Sequence, residues 1–403
     1  MTTSVIISSN KGTLKRHRIT ALMSRLLAAV LGIAMAWLVI EIGMRAGFEH
    51  LPPWVRGAIQ NVRMVPWGHD TIIPPPPLLP DTDYQTILKP DLHNHEMFFA
   101  DGSFHMTTIR LWDGRVGMRS APPVWPVDII AVGDSFTVCF TEFRDCWVER
   151  MRLDQNWSVM NLGQIATGSV SHLRILQTFG TPLKPKIVVW QWCNNDFNED
   201  YGLARLRGET PALDSPAGSP APDFGRLSTY SAVYATFRKW WYDRGHVGAE
   251  DETRIEVEGH PMTVGSTYSL SSSLSSPANE YGWQRTVEAL DDAQQLVHDQ
   301  WGAELVIVLV PSKDDAYSEY AAGVLGQEYL DSLREGRTRL FALCAERGWR
   351  CIDPTAVFQA EIRAGHMVYF RLDSHLNPYG NQILARVVED YLLQNQLLPG
   401  ARN

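Results

Sequence analysis

The sequence predicts an α/β domain with a parallel sheet, preceded by one N-terminal transmembrane helix. Short runs rich in β-branched residues end in glycine or polar residues and alternate with stretches of helical periodicity, which is typical of buried parallel strands joined by helices. Near the N-terminus the chain is apolar without interruption from Leu26 to Ile40, and the apolar character continues through Met44. This length is close to the roughly 20 residues that a membrane helix requires.

The charges before this apolar segment indicate its orientation. Basic residues precede it and no acidic residue does; the basic residues are Lys11, Lys15, Arg16, Arg18 and Arg25. By the positive-inside rule, residues 1–20 lie in the cytoplasm, residues 21–47 span the membrane, and the rest of the chain lies outside the cytoplasm. The alternative is a cleaved signal peptide with Ala34-Met35-Ala36 as its cleavage site. The apolar run continues beyond that site, which favours the anchor.

The remaining chain divides by composition. Residues 48–124 are Pro-rich at first and predict a membrane-proximal linker and a small cover on the sheet. Residues 125–400 hold the main domain, and within it residues 201–280 predict an insertion, either a lid or a disordered loop. The predicted strands are Val127–Val132, Ser158–Gly163, Ile187–Trp192, Glu304–Val310 and Arg350–Asp353. Asn377 as N-cap and Pro378 in the first turn begin the last helix.

The first of these strands leads into Gly133-Asp134-Ser135. A serine at the turn from a parallel strand to a helix lies at the sheet edge where α/β proteins bind their ligands. The turn presents the hydroxyl to solvent, and the helix N-terminus favours negative charge nearby. The position therefore suits a nucleophilic serine, although plain turns favour the same residue types.

Residues that would complete a catalytic site follow in order. Serine needs an adjacent base, histidine suits that role near neutral pH, and a carboxylate must hold the histidine tautomer. Asp373 and His375, two residues apart before the last helix, can supply both from one loop. A tetrahedral oxyanion needs N–H donors. We expect them from the Ser135 backbone, the Gly163 backbone and the Asn195 side chain, or from the asparagine just before Asn195.

Together these residues resemble the four short blocks of the SGNH, or GDSL-like, hydrolase superfamily. The blocks are serine in Gly133-Asp134-Ser135, glycine at Gly163, asparagine in Asn195-Asp196 and histidine at His375. The resemblance implies a three-layer flavodoxin-like domain that hydrolyses esters or transfers acyl groups without a metal or an organic cofactor. Two features depart from the family pattern: Cys193 stands where glycine is usual, and the acid–histidine spacing is Asp-x-His rather than Asp-x-x-His.

The Asp-x-His spacing is similar to that of the alginate O-acetylation proteins and related membrane-anchored proteins. Val310-Pro311-Ser312-Lys313 and Tyr317 resemble a segment of the same subgroup. Lys313 follows the fourth strand, at the predicted active-site edge, and is a candidate for substrate contact. This resemblance implies a single-pass protein of the bacterial inner membrane with a periplasmic domain. Its substrate would be an acylated polysaccharide of the envelope or a secreted one, and its setting an envelope biosynthesis complex.

Two other functions fit the same residues. A lipid or lysophospholipid esterase would use the anchor to stay near phospholipid, and a non-catalytic subunit would keep the fold as a scaffold. The intact Ser/His/Asp set disfavours the scaffold. Between hydrolysis and acyl transfer the sequence slightly favours hydrolysis, because no pattern in it indicates an acceptor site. The net charge of −9 argues against nucleic acid as a partner, because phosphate binding needs a basic surface.

Five cysteines outside the cytoplasm could form disulfides. Cys139 with Cys146 and Cys344 with Cys351 are local pairs, which leaves Cys193 over. The alternative is that all five are reduced core residues, because sequence does not fix connectivity. The segment His93-Asn94-His95-Glu96 has too few spaced ligands to predict a metal site.

Overall fold

The computed structural model describes residues 11–59, 78–99, 101–213, 230–241, 253–265 and 273–400. The chain forms two compact units. The first comprises residues 1–75 with 224–240, and the second comprises residues 76–223 with 241–403. The predicted cover, residues 48–124, is therefore divided: its part from residue 76 onward belongs to the unit that contains the sheet.

The second unit contains a five-stranded parallel sheet, as predicted. In spatial order, its strands are Arg350–Ile352, Glu304–Leu309, Ile187–Trp192, Ile129–Val132 and Val159–Asn161. Every neighbouring pair is parallel. All residues of Ile187–Trp192 and Ile129–Val132 are buried. This burial on both faces explains why these strands read as continuous apolar runs instead of alternating with polar residues.

Helices cover both faces of this sheet, which gives three layers. Ile129 and Ala131 point to one face and Ile130 and Val132 to the other, because successive side chains of a strand alternate. The first face packs on residues of Trp147–Gln155, Thr355–Arg363 and Pro378–Gln394. The second face packs on residues of Ser169–Ile175, Pro277–Gln294 and Gln327–Arg347.

The remaining helices of the second unit are shorter or lie at its edges. The α-helices among them are Ser135–Val138, Thr181–Leu183, Asp196–Arg207, Lys313–Ala316 and Ser318–Leu325. A 3-10 helix runs over Phe143–Asp145, and π-helical segments run over Leu176–Gly180 and Gln295–Gln300. The last long helix begins as predicted: Asn377 is its N-cap and accepts a hydrogen bond from the Gly380 N–H, and Pro378 follows in the first turn.

Residues 78–118 form short antiparallel hairpins in place of a plain linker. Leu78–Asp81 pairs with Gln85–Leu88, His95–Phe99 with Gly102–Met106, and Ile109–Arg110 with Gly117–Met118. The role of these hairpins as a cover on the sheet stays a prediction.

The predicted insertion, residues 201–280, also contains regular structure in its described parts. The helix Asp196–Arg207 runs into it, the helix Ala232–Trp241 lies within it, and Thr253–Val257 pairs with His260–Val264 as a hairpin. This hairpin follows from alternating buried residues on either side of the Glu258-Gly259 turn, where both residues have positive φ. A disordered loop therefore does not describe these residues, and the alternative of a lid stays a prediction; residues 214–229, 242–252 and 266–272 lie outside the described part.

The first unit consists of helices in its described residues: Lys11–Ala46, Phe48–His50, Pro53–Ile59 and most of Ala232–Trp241. From Met23 to Ala46 the first helix is long and apolar enough to cross a membrane. These 24 residues extend about 36 Å, more than the roughly 30 Å of a bilayer core. A signal sequence would meet the same criteria.

Candidate active site

Ser135 lies where the sequence predicted it, at the turn from the strand Ile129–Val132 into a short helix. Asp134 is the N-cap of that helix and accepts a hydrogen bond from the Phe136 N–H (2.9 Å). Gly133 has no room for a side chain, because a Cβ there would lie 2.4 Å from Gln191 Oε1. The turn is therefore fixed by packing as well as by capping, and it holds Ser135 in place.

Ser135, His375 and Asp373 lie in series within hydrogen-bonding distance. Ser135 Oγ is 2.7 Å from His375 Nε2, and His375 Nδ1 is 2.6 Å from Asp373 Oδ1. Asp373 Oδ1 also accepts a hydrogen bond from the backbone N–H of His375 (2.9 Å). The Asp-x-His spacing allows this contact because one tight turn places the carboxylate beside both the ring N–H and the backbone N–H of the histidine. Nucleophile, base and acid in this order are the arrangement that activates a serine.

The surroundings of Asp373 keep it ionised. Burial by itself raises its pKa, but the charge of His375 and the hydrogen bonds from that residue outweigh burial, and the pKa is lowered. An ionised Asp373 favours a proton on Nδ1 of His375. Nε2 then carries no proton and faces Ser135 Oγ as an acceptor. A general base requires this tautomer of the histidine.

Charged residues hold the loop that carries Asp373 from two directions. Asp101, in the turn of the hairpin His95–Met106, accepts hydrogen bonds of 2.7 to 3.1 Å from the backbone N–H groups of the loop; the donors are Arg371, Leu372 and Asp373. Lys313 Nζ donates to the carbonyl oxygens of Arg371 (2.8 Å) and Asp373 (3.2 Å). The backbone of the loop is thus fixed through both its donors and its acceptors.

Lys313 was predicted as a candidate for substrate contact. The structure places it at the active-site edge of the sheet but buries it, with 4% of its surface exposed. Its ammonium group bonds the carbonyl oxygens of the Asp373 loop. These contacts describe a lysine that positions the loop, and a contact with substrate stays a prediction.

Phe140 packs directly on the histidine. Its ring stacks on the ring of His375, and the rings of Phe99 and Phe104 lie on its other sides. Phe140 belongs to the loop that the disulfide Cys139–Cys146 closes. The local cysteine pairing considered from the sequence is therefore present here, at the active site, and the second pair, Cys344–Cys351, is present as well.

Arg119 anchors the same loop from within the protein. It is 1% exposed and donates hydrogen bonds to the carbonyl oxygens of Val138 (2.8 Å), Cys139 and Thr141 (2.6 Å). Burial lowers the pKa of Arg119 to about 10, so the guanidinium remains charged at neutral pH. Neither Arg119, Phe140 nor Asp101 was predicted as a site residue. The cysteines on either side of the segment that contains Phe140 were the sequence signal for it.

Two of the predicted oxyanion donors lie beside the nucleophile. The Ser135 N–H is at the first helical position, where a helix offers no acceptor of its own. Asn195 Nδ2 uses one of its two N–H groups to bond Asp134 Oδ2 (3.0 Å), next to Ser135. The preceding Asn194 donates to the carbonyl oxygen of Leu333 instead. Of the two asparagines, Asn195 is therefore the one bonded to the nucleophile turn.

Gly163, the third predicted donor, has its N–H bonded within its own loop. Its N–H donates to Asn161 Oδ1 (2.9 Å) because the side chain of this last strand residue turns back over the chain. A Cβ at Gly163 would lie 2.8 Å from Thr137 Cγ2 and 3.0 Å from Val138 N. The glycine is therefore explained by its packing against the helix Ser135–Val138. Its role toward an oxyanion would require Asn161 to release the N–H, and it stays a prediction.

Asp134, Asp196 and Asp200 are fully buried carboxyl groups near these residues in the sequence. Burial raises the pKa of each of them, that of Asp200 to about 7. Asp200 accepts hydrogen bonds from the Val170 N–H (2.8 Å) and from Thr286 Oγ1 (2.7 Å). These carboxyls join the loops after the strands to the helices beside them, in agreement with a structural role.

Comparison with known proteins matches the C-terminal part of the chain to a family. Residues 268–402 match the model described as the SGNH hydrolase-like domain, acetyltransferase AlgX. A comparison with curated proteins gave no match.

Several solved structures are similar to this chain. A lipolytic protein of the G-D-S-L family from Veillonella parvula is 14% identical, with 66% of this chain and 97% of that chain covered and a TM-score of 0.37. The acetyl xylan esterase AlAXEase is 10% identical, with 66% and 100% covered and a TM-score of 0.38. A catalytic mutant of an acetylxylan esterase from Geobacillus stearothermophilus is 13% identical, with 69% and 97% covered and a TM-score of 0.33.

The matched segment includes Asp373 and His375 together with two of the five strands, whereas Ser135 precedes it. The five-stranded parallel sheet brings the two parts together at one edge. The family resemblance found in the sequence is confirmed by this match over residues 268–402, which are similar to an SGNH hydrolase-like domain.

Proposed function

We propose that this protein is a serine-dependent esterase or O-acyltransferase, anchored in a membrane and acting outside the cytoplasm on acetyl groups of an envelope or secreted polysaccharide. The observation that carries the proposal is the 2.7 Å approach of Ser135 Oγ to His375 Nε2, with Asp373 on the other ring nitrogen. The match to a hydrolase-like domain described as an acetyltransferase supports acyl chemistry.

In the proposed reaction, Ser135 Oγ attacks the carbonyl carbon of the ester while its proton passes to His375 Nε2. Asp373 stabilises the imidazolium that forms. The tetrahedral oxyanion accepts hydrogen bonds from the Ser135 N–H and from the second N–H of the Asn195 side chain. The oxyanion then collapses, the sugar oxygen leaves with the proton from His375, and the acetyl group remains on Ser135.

The second half-reaction releases the acetyl group. A hydroxyl group gives its proton to His375 and attacks the acetyl carbonyl, which restores Ser135. With water as the attacking group the product is acetate, and with a sugar hydroxyl it is a new acetyl ester. The same residues serve both outcomes, so the acceptor that reaches the site decides between hydrolase and transferase.

Two features support a location outside the cytoplasm. The apolar helix Met23–Ala46 follows a basic segment, which by the positive-inside rule leaves the main domain on the other side of the membrane. Two disulfides in the sheet-containing unit are typical of oxidising compartments such as the periplasm. A C-terminal reporter that is active only in the periplasm tests this topology, and a full-length fusion that is inactive would contradict it.

A serine-directed fluorophosphonate tests the nucleophile on the full-length protein in detergent. We expect wild type to be labelled and Ser135→Ala not to be. Ser158→Ala is the control. Ser158 directly precedes the strand Val159–Asn161, at the end away from Ser135, and this variant should be labelled to the same extent as wild type. Persistent labelling of Ser135→Ala would assign the reaction to another serine.

Ester preference tests the substrate class. We expect acetyl esters to be preferred over butyryl and octanoyl esters of the same alcohol, and added oligosaccharide acceptor separates transfer product from free acetate. A longer acyl chain gains about 0.8 kcal/mol per methylene only when it is buried. A steady rise of kcat/KM with chain length would therefore favour the lipid esterase over the polysaccharide enzyme.

A further inference from the structure

Glu41 interrupts the apolar sequence of the first helix, and the structure surrounds its carboxylate with donors. The carboxylate accepts hydrogen bonds from the backbone N–H groups of Ala232 (2.7 Å) and Val233 (3.0 Å). It also accepts one from Ser231 Oγ (2.9 Å). These donors form the N-terminus of the helix Ala232–Trp241, whose first N–H groups have no acceptors within the helix. Glu41 therefore caps a helix that lies about 190 residues away in the sequence.

Arg45, one turn after Glu41, adds to the contacts between the first helix and the helix Ala232–Trp241. Its Nε donates to Glu41 Oε1 (2.7 Å), and its guanidinium also donates to the carbonyl oxygen of Tyr230 (2.7 Å). A charged side chain within an apolar membrane segment is costly and is usually paired. Here the pairing partners are Arg45 and the end of a second helix. The charge of Glu41 thus fastens the helix Ala232–Trp241 to the membrane-spanning helix.

The position of Glu41 sets the depth of this attachment. At 1.5 Å per residue, Glu41 lies about 8 Å before the end of the span Met23–Ala46. The span is longer than the roughly 20 residues that cross a bilayer core. Glu41 and the N-terminus of the attached helix are therefore expected near the boundary between hydrocarbon and headgroups, on the extracytoplasmic side.

One face of the attached helix packs within the first unit. Ala232 and Ala235, one turn apart, are buried in a cluster with Phe48 and Ile59. Phe48 and Ile59 belong to the short helices that follow the span. The helix Ala232–Trp241 is thus held both by its cap and by this small apolar cluster.

The opposite face exposes aromatic side chains. Phe237 is 52% exposed and Trp240 is 37% exposed, with ring centroids 5.8 Å apart. Tyr230 and Trp54, also in the first unit, are exposed as well. Tryptophan and tyrosine concentrate at the membrane–water interface, where one end of the ring is apolar and the other is hydrated. A group of exposed aromatic residues beside a membrane span has the composition of an interfacial surface.

We propose that the helix Ala232–Trp241 lies in the membrane–water interface on the extracytoplasmic side and contacts phospholipid through Phe237 and Trp240. This placement rests on the membrane anchoring proposed above. Phospholipid is the partner because the helix is fastened through Glu41 to the membrane-spanning helix near the end of its span, and the exposed side chains beside this attachment are aromatic.

Fluorescence quenching in vesicles tests the proposal. The full-length protein with Phe237→Cys is labelled with an environment-sensitive fluorophore and placed in vesicles of phosphatidylethanolamine and phosphatidylglycerol. The native cysteines are two disulfides and the buried Cys193, which directs the label to the new thiol. We expect doxyl-labelled lipid to quench the fluorophore strongly and aqueous iodide to quench it weakly.

Phe341→Cys is the matched control. Phe341 is another exposed phenylalanine on a helix, but it belongs to the unit that contains the sheet. Its label is expected to show the reverse pattern, with strong quenching by iodide. Strong iodide quenching at position 237 in vesicle-bound protein would overturn the proposal. Shielding of that position from both quenchers would overturn it too, because a protein surface would then cover the helix.

Flotation of the vesicles and resistance to alkaline extraction are measured first. Protein that does not float lacks the anchor, and the placement of the helix falls with it. Protein that floats but shows iodide quenching at position 237 overturns only the placement. Glu41→Ala, which removes the cap, should reduce lipid quenching at position 237 while flotation is kept, and Glu41→Gln should have a smaller effect. Unchanged lipid quenching in Glu41→Ala would contradict the role of Glu41.

Discussion

The aromatic ring of Phe140 stacks on the imidazole of His375, with centroids 3.9 Å apart and an angle of 20° between the planes. Asp373 holds the same imidazole in its plane through Nδ1. The ring that would act as base is therefore restricted in two directions, by a carboxylate in the plane and by a second ring across its face. Both restraints direct Nε2 toward Ser135 Oγ.

The stacking predicts that Phe140→Leu lowers kcat about 2- to 10-fold with little change in KM. Aromatic pairs contribute about 0.5–1.5 kcal/mol beyond their buried area, and about 1.4 kcal/mol corresponds to a factor of ten in rate. Phe140→Tyr keeps the ring and should retain activity. Steady-state kinetics on an acetyl ester provide the measurement, with Phe341→Leu as a surface control. An equal loss in Phe140→Leu and Phe140→Tyr would contradict a role for the stacked ring.

The two disulfides provide a matched pair for testing the loop that carries Phe140. Each joins cysteines with a sequence separation of 7, so the loss of either should affect the entropy of the unfolded chain similarly. Replacing Cys139 and Cys146 by serine should lower kcat in the folded protein, because it releases the loop under His375. Replacing Cys344 and Cys351 should lower Tm without that effect on kcat. Equal kcat in both double variants would show that the first disulfide does not position the site.

Asp101 is predicted to position the loop of Asp373 from outside. It accepts hydrogen bonds from three consecutive backbone N–H groups of that loop but is exposed to solvent, so screening limits its contribution to roughly 1 kcal/mol. We expect Asp101→Ala to lower kcat about tenfold and Asp101→Asn, which keeps one acceptor, to lower it less. Asp91→Asn, on a neighbouring loop, is the control. If kcat is unchanged in Asp101→Ala, the loop holds its geometry without this carboxylate.

Alanine substitution of two adjacent asparagines tests which of them donates to the oxyanion and which has a structural role. We expect Asn195→Ala to reduce kcat by about a hundredfold or more, the effect of losing one oxyanion donor. Asn194→Ala removes a hydrogen bond to the carbonyl oxygen of Leu333 and should change stability more than kcat. Circular dichroism of both variants checks that they fold. A large kcat loss in Asn194→Ala alone would reverse the assignment.

The raised pKa of Asp200 predicts that the stability of the protein depends on pH. Burial raises its pKa from 3.8 to about 7, although hydrogen bonds from Val170 and Thr286 act in the opposite direction. Because the folded state binds this proton more tightly than the unfolded state, the contribution of Asp200 to the free energy of unfolding is greatest below about pH 4 and falls as pH rises to about 7. We expect Asp200→Asn, whose amide can still bond Thr286, to lose this dependence.

Denaturant unfolding at about pH 5 and about pH 8 measures this effect. Wild type should lose more stability between the two values than Asp200→Asn does. Asp331→Asn, an exposed aspartate on the helix Gln327–Arg347, is the control and should behave as wild type. An equal pH dependence in Asp200→Asn and wild type would contradict the assignment.

The sheet and the line of residues along its edge could be predicted because each depends on local sequence. The strands Ile187–Trp192 and Ile129–Val132 are buried on both faces and stand out as continuous apolar runs. The turn at Ser135 needs a glycine for lack of space and an aspartate for capping, and both appear beside the serine. His375 could be paired with Asp373 because one turn contains both.

The residues that could not be predicted act through partners far away in the sequence. Asp101 bonds residues about 270 positions later, and Lys313 bonds the carbonyl oxygens of Arg371 and Asp373, 58 and 60 positions later. Glu41 was visible only as a break in an apolar run, since its partners at residues 231–233 lie outside any local pattern. Long-range polar contacts of this kind have no sequence period to reveal them.

Ser135 and His375 are separated by 240 residues of sequence. A chain that is still being synthesised therefore lacks a competent site until His375 has been made, because the base follows the nucleophile by 240 residues. Fragments that end early carry the nucleophile alone and should be inert toward esters. By the time the pair can meet, the N-terminal helix has long left the ribosome. The enzyme would thus become active only after its place in the cell has already been decided.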